Sequence, residues 1–194
     1  MMHSLLRRAT SVALVALALS GCAVAPQAPQ VAAVSRKSVS TFELDGRLAA
    51  SDGQRAANGT VSWTHSPRSD TWTVYSPLGQ VVAQLVATKS GATLLTADGQ
   101  MRQAADANTI LPEMLGVSAP LEGLADWVQA APRQGARVLT LDEAGRPARI
   151  ADDGWIIDYP EYADTSAEAP PRRIDAAWGD TRIRLIIDQW TPRP

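Results

Sequence analysis

From Phe42 onward, apolar and polar residues alternate with a period of two. "FELDGRLAA" sets Phe42, Leu44, Gly46 and Leu48 against Glu43, Asp45 and Arg47, the pattern of a half-buried strand. "GTVSWTHS" sets Val61, Trp63 and His65 against Ser62 and Thr64, and "TWTVYS" puts Trp72 and Val74 on one face. "QVVAQLVAT" is less clear, with Val81, Ala83 and Leu85 opposite Val82, Gln84 and Val86. "GATLLTADGQMRQA" predicts a hairpin closed at Asp98 and Gly99, a strong two-residue turn signal. Then the period changes. "ADANTILPEMLG" spaces Ile110, Leu111, Met114 and Leu115 like a helix face that stops at Gly116. Pro112 keeps this helix short or bent. "SAPLEGLADWVQAA" predicts a second short helix through Leu121, Leu124, Trp127 and Val128. The remainder returns to strands, with turns at residues 143–145, 153–154 and 179–180 and an irregular Pro-rich stretch at 163–171.

Roughly ten antiparallel strands with two helices inserted midway predict a mainly β, single-domain protein. A curved sheet forming an incomplete β-barrel, with the helices in its mouth, satisfies that order. Such a sheet leaves an apolar hollow unless bulky side chains fill it. Six Trp, three Tyr and one Phe are the bulk available, so a hollow and an ordinary filled core both remain open. One turn stands apart. Ser76-Pro77-Leu78-Gly79 can place Pro77 second and Gly79 fourth in a tight turn, which leaves the aliphatic Leu78 at the outward corner where a polar residue is usual.

The N-terminus changes the picture of where this domain works. Arg7 and Arg8 precede an apolar run at residues 9–19, about half a membrane span, which reads as a secretory signal. The run ends in "LSGC", and Cys22 is the only cysteine. That motif resembles a bacterial lipobox. The resemblance implies cleavage after Gly21 and acylation of Cys22, and Ala23 next to it fits export to the outer membrane. The chain then divides into a lipoprotein signal peptide (1–21), a lipidated Cys with a flexible Pro/Ala/Gln/Ser tether (22–40) and a barrel domain (41–194). With Cys22 acylated, no disulfide forms.

Charge and chemistry narrow the function. The formal net charge of −2 becomes −4 once Arg7 and Arg8 leave with the signal. No basic cluster follows phosphates, so nucleic-acid binding is excluded as a reading. His65 is the one histidine beyond the signal, and no HExxH, GxSxG or CxxC motif occurs. The carboxylates Glu43, Asp45, Asp152, Asp153 and Glu161 fall in turns or on strand edges, outside any acid/base motif. The residues point to a non-enzyme, with no metal and no cofactor beyond the covalent lipid on Cys22.

Several segments, in order, resemble the LolB family of outer-membrane lipoprotein receptors: "FELDGRLAA", "YSPLGQ", "LGVSAPLEGLADWVQAAP", "DDGWIIDY" and "RIRLIIDQW". The resemblance implies an incomplete barrel around an apolar cavity. It implies a receptor anchored on the periplasmic face of a Gram-negative outer membrane, expected to be a monomer. Such a receptor takes client lipoproteins by their acyl chains from a LolA-like periplasmic carrier and inserts them among the outer-membrane phospholipids. On that reading Leu78, flanked by Pro77 and Gly79, is the membrane-contacting loop. Trp72, Val74, Leu85, Trp127 and Trp155 are candidates for the acyl-chain cavity, with simple core as the plain alternative for each. An envelope scaffold lipoprotein with a filled core is the alternative function. Two departures bear on the cavity mouth: Pro112, and Ala130 where the family often has Gly.

Overall fold

The computed structural model describes residue 33, residues 35–117 and residues 123–193. The signal, the lipobox and Cys22 lie outside the described residues. Among the described residues eleven strands form one sheet, one more than the rough count from the pattern. The first six are β1 (Phe42–Ser51), β2 (Ala56–His65), β3 (Ser69–Tyr75), β4 (Val81–Thr88), β5 (Gly91–Thr96) and β6 (Met101–Ala104). Two helices follow, α1 (Ala107–Leu115) and α2 (Leu124–Trp127). The last five strands are β7 (Arg137–Leu141), β8 (Pro147–Asp152), β9 (Trp155–Tyr162), β10 (Pro171–Trp178) and β11 (Thr181–Pro192). The order across the sheet is β6-β5-β4-β3-β2-β1-β11-β10-β9-β8-β7, and every neighbouring pair is antiparallel. The first and last strands therefore meet at the centre, and β6 and β7 are left as edges that do not pair with each other.

Period-two alternation sets which face is buried. On β4, Ala83, Leu85 and Ala87 are buried while Val82, Gln84 and Val86 are exposed. Cross-strand register carries that face along the sheet: Leu44 opposes Trp63, Trp63 opposes Trp72, Trp72 opposes Leu85 and Leu85 opposes Leu94. Phe42 packs at 4.9 Å from Trp63 and 4.5 Å from Trp190, measured between ring centroids. Burying each such side chain contributes roughly 1.5–3 kcal/mol. Both helices cover this inner face. α1 lies over β4, β5 and β6, and α2 packs Trp127 against Trp155 of β9.

α1 begins at Asp106, whose side chain accepts from the Asn108 N–H at 2.9 Å, and ends at Gly116. Pro112 is accommodated within its nine residues. α2 is a single turn, shorter than the apolar spacing predicts, and residues 118–122 before it lie outside the described set.

The register also gives the domain two distinct ends. The β1–β2, β3–β4, β5–β6, β8–β9 and β10–β11 turns share one end; the chain enters at Phe42 and leaves at Pro192 at the other. Just before β1, Arg36 is pinned at this entry end. Its guanidinium donates to the carbonyls of Gln129, Ala167 and Ala169 at 2.8–3.2 Å.

Candidate functional site

Between the inner face and the helices lies a pocket of about 340 Å³. The sheet supplies Trp63, Trp72, Leu85 and Ala87; α1 supplies Ala107, Asn108 and Leu111; Leu124 and Ala125 close it from α2. Trp63 and Trp72 stack with centroids 3.9 Å apart and planes 22° from parallel, which makes a flat aromatic wall. At the rim, the Asp70 carboxylate accepts from the Trp63 indole N–H at 2.8 Å and lies 2.6 Å from Nδ1 of His65. His65 is thus engaged in holding this rim.

The opposite wall rests on one buried carboxylate. Asp152 is 4% exposed and accepts from the Trp127 indole N–H at 2.6 Å and from Nε of Arg133 at 2.7 Å. Arg133 itself lines the pocket. Gly123, at φ +86°, is packed into this junction: a Cβ there would come within 2.8 Å of Arg133 Nε and 2.9 Å of Asp152 Oδ2. A side chain is excluded there both by the left-handed backbone and by the space. The Tyr159 hydroxyl donates to the Trp127 carbonyl at 3.0 Å, fixing the far side of the same turn. Burial pushes the Tyr159 hydroxyl above its ordinary range and the Tyr162 hydroxyl up to about 12, so both stay protonated near neutral pH.

Of the sequence candidates for cavity lining, Trp72 and Leu85 stand in the pocket wall. Val74 lies on the same face, nearer the β3–β4 turn, where its Cγ1 would be 3.3 Å from a Cβ at Gly59. Trp127 and Trp155 pack on each other with centroids 5.3 Å apart, behind the Asp152 junction. Trp63 and Leu111 line the pocket but were not candidates. The signal for Trp63 was its place on the same alternating face as Trp72; Leu111 has none beyond helix spacing. Ala130 is buried at φ +48°, a left-handed conformation that accounts for Gly in the family pattern at this position.

Leu78 is 88% exposed at the β3–β4 turn. The Gly79 N–H donates to the Ser76 carbonyl at 2.9 Å, and Gly79 follows at φ +78°. This is a tight turn completed by a left-handed residue, a frequent hairpin connection. The apolar tip is held outward by backbone bonds. Among the described residues there is no group of three or more His, Cys, Asp or Glu placed to hold a metal, and no helix long and apolar enough to cross a membrane.

Residues 40–190 match the family model for the outer membrane lipoprotein LolB. The chain belongs to the LolB family. It is 50% identical over 173 residues to the outer-membrane lipoprotein LolB of Azoarcus sp. (strain BH72), covering 89% of each chain. The LolB of Thiobacillus denitrificans is 37% identical over 192 residues, covering 97% of this chain and all of that one. Among solved structures, a LolA superfamily protein from Nitrosomonas europaea superposes with a TM-score of 0.47 at 8% identity, covering 82% of this chain and 89% of its own. As a LolB-family member the chain is an outer-membrane lipoprotein receptor, lipid-anchored and facing the periplasm, that acts without catalysis. Membership also implies a LolA-like carrier and client lipoproteins as its partners in general.

Proposed function

We propose that the pocket under α1 and α2 receives the acyl chains of a client lipoprotein from the carrier, that Leu78 contacts the bilayer during discharge, and that acylated Cys22 anchors the chain. The observation that supports this most is the apolar wall of Trp63, Trp72 and Leu85 roofed by two short helices. A larger hollow of about 580 Å³ runs along β1, β2, β10 and β11, but Arg182, Arg184, Asp158 and Asp175 wall it. Arg184 and Asp175 pair there at 2.6 Å. An acyl chain in that groove would strip water from charges, which is costly. The smaller pocket also has two charged groups in its lining, Asp70 and Arg133, but each is held by a partner, Asp70 by Trp63 and His65 and Arg133 by Asp152, and the wall between them is apolar.

Handover then needs no nucleotide. Cargo moves toward whichever site binds its chains better, and only a difference in affinity can shift the balance. The last step is downhill because each CH₂ gains ~0.8 kcal/mol on burial in lipid, over a longer stretch of chain than a protein pocket covers.

Ala107 is partly exposed at the pocket rim on α1. We expect Ala107→Trp to fill the pocket and lower cargo receipt from the carrier at least ~10-fold, a difference of about 1.4 kcal/mol, while membrane attachment is unchanged. Transfer of a labelled client to the intact lipoprotein in vesicles measures this. Unchanged receipt would place the acyl site elsewhere.

A further inference from the structure

Charge is divided unevenly over the outer face of the sheet. On β1 and β8–β11 it is laced with ion pairs: Arg47 with Asp188, Arg149 with Asp158, Arg184 with Asp175, Arg172 with Glu161. The outer face of β2–β6 carries no charged side chain. By register its positions are Ala56, Asn58, Thr60, Ser62 and Thr64 on β2, then Thr71, Thr73 and Tyr75 on β3. Val82, Gln84, Val86 and Thr88 follow on β4, with Thr93, Leu95, Met101 and Gln103 on β5 and β6. A chain that is 20% charged places none of its charges here. Arg102 of β6 turns to the inner side and pairs with Glu113 of α1.

Large apolar residues collect on this flank. Leu78, Val81, Val82, Val86, Leu95 and Met101 are all between 40% and 88% exposed. Leu95 and Met101 are direct cross-strand neighbours, and Val82 is tied to the β5–β6 turn by its carbonyl, which accepts from the Ala97 N–H. All but Val86 lie in the half of the flank nearest the Leu78 tip and reach across it to the β6 edge, with Gln84 between Val82 and Val86.

We propose that the outer flank of β4–β6, with Leu78 at its lower end, is a bilayer-docking face that tilts the domain onto the phospholipid surface beside the Leu78 tip. The proposal rests on the reading of Leu78 as a membrane contact and extends it from one residue to a face. Three observations favour lipid over a soluble partner. The flank is continuous with Leu78. It holds no ion that would have to be desolvated on contact with the membrane, and its backbone groups on β4 and β5 are already paired within the sheet. It also lacks the charges that steer a transient protein partner to its site, whereas a lipid-anchored chain needs no steering to a membrane it never leaves. Tyr75 at its margin suits the headgroup level, where aromatic hydroxyls gather.

Single variants Leu78→Cys, Leu95→Cys, Met101→Cys and Ala177→Cys of the acylated protein, labelled with an environment-sensitive fluorophore, test this. The vesicles contain phosphatidylethanolamine and phosphatidylglycerol with brominated chains. Labels at 78, 95 and 101 should be quenched and blue-shifted, and the label at 177, on the charged side, should remain aqueous. Aqueous labels at 95 and 101 beside a quenched label at 78 would end the flank proposal and leave the Leu78 contact standing. An aqueous label at 78 would remove the reading on which both rest. The paired variant Leu95→Lys, Met101→Lys should slow delivery to vesicles about ten-fold with receipt from the carrier unaltered. Lost receipt with normal delivery would assign the face to a protein partner and overturn the proposal.

Discussion

Leu78→Glu should leave the barrel folded and cargo receipt intact but slow delivery to the membrane severely. The residue is 88% exposed and its turn is held by backbone bonds between Ser76, Gly79 and Gln80, so the fold loses nothing that depends on the leucyl side chain. Surface substitutions of this kind usually move stability by less than ~0.5 kcal/mol. The membrane step is different. A leucine gains free energy by entering lipid, while a carboxylate at the bilayer centre costs about 2.5–3.5 kcal/mol. The swing is enough to slow discharge roughly a hundred-fold. Two measurements on the same variant decide it: transfer of a labelled client from carrier to protein, and from protein to vesicles. Normal delivery by Leu78→Glu would show that the tip has no part in discharge.

The second large effect is on stability. Asp152→Ala should lower unfolding free energy by about 3 kcal/mol, since it removes a buried carboxylate that accepts bonds from both Trp127 and Arg133, and hydrogen bonds to charged groups contribute about 1.5–3 kcal/mol each. The Trp127 indole N–H also loses its acceptor, which adds a desolvation penalty. Heating followed by circular dichroism should show a melting point down by about 6–12 °C for a domain of this size. Asp152→Asn retains an acceptor oxygen and should lie between. Because Asp152 also holds Arg133 at the pocket wall, the alanine variant should receive cargo less well even below its melting point. A variant that melts with the unchanged protein would mean that the junction does not hold α2.

The strands were legible because one face is buried: Phe42, Leu44, Trp63 and Trp72 mark it by simple alternation. β4 was the ambiguous one for a physical reason now visible. Val82 and Val86 are apolar yet exposed, so the strand carries apolar residues on both faces and its period fades. Strand order was out of reach. Nothing local in Phe42–Ser51 says that it pairs with Thr181–Pro192 at the far end of the chain, since that register comes from long-range packing. The pocket was half legible. Trp72 and Leu85 point inward by alternation, but whether an inward residue meets the helices or another strand depends on where α1 lies. α2 was overestimated: Gly123 opens it and the left-handed Ala130 follows within a few residues, so apolar spacing outran the backbone.

The two ends of the barrel have a mechanical consequence. The chain enters β1 at one end and Leu78 stands at the other, separated by about 33 Å at the ~3.3 Å rise of a ten-residue strand. Arg36 fixes the entry at its end. A domain balanced on the Leu78 tip alone would hold the start of β1 about that far from the lipid, whereas contact along β4–β6 as well brings the far end down toward the surface.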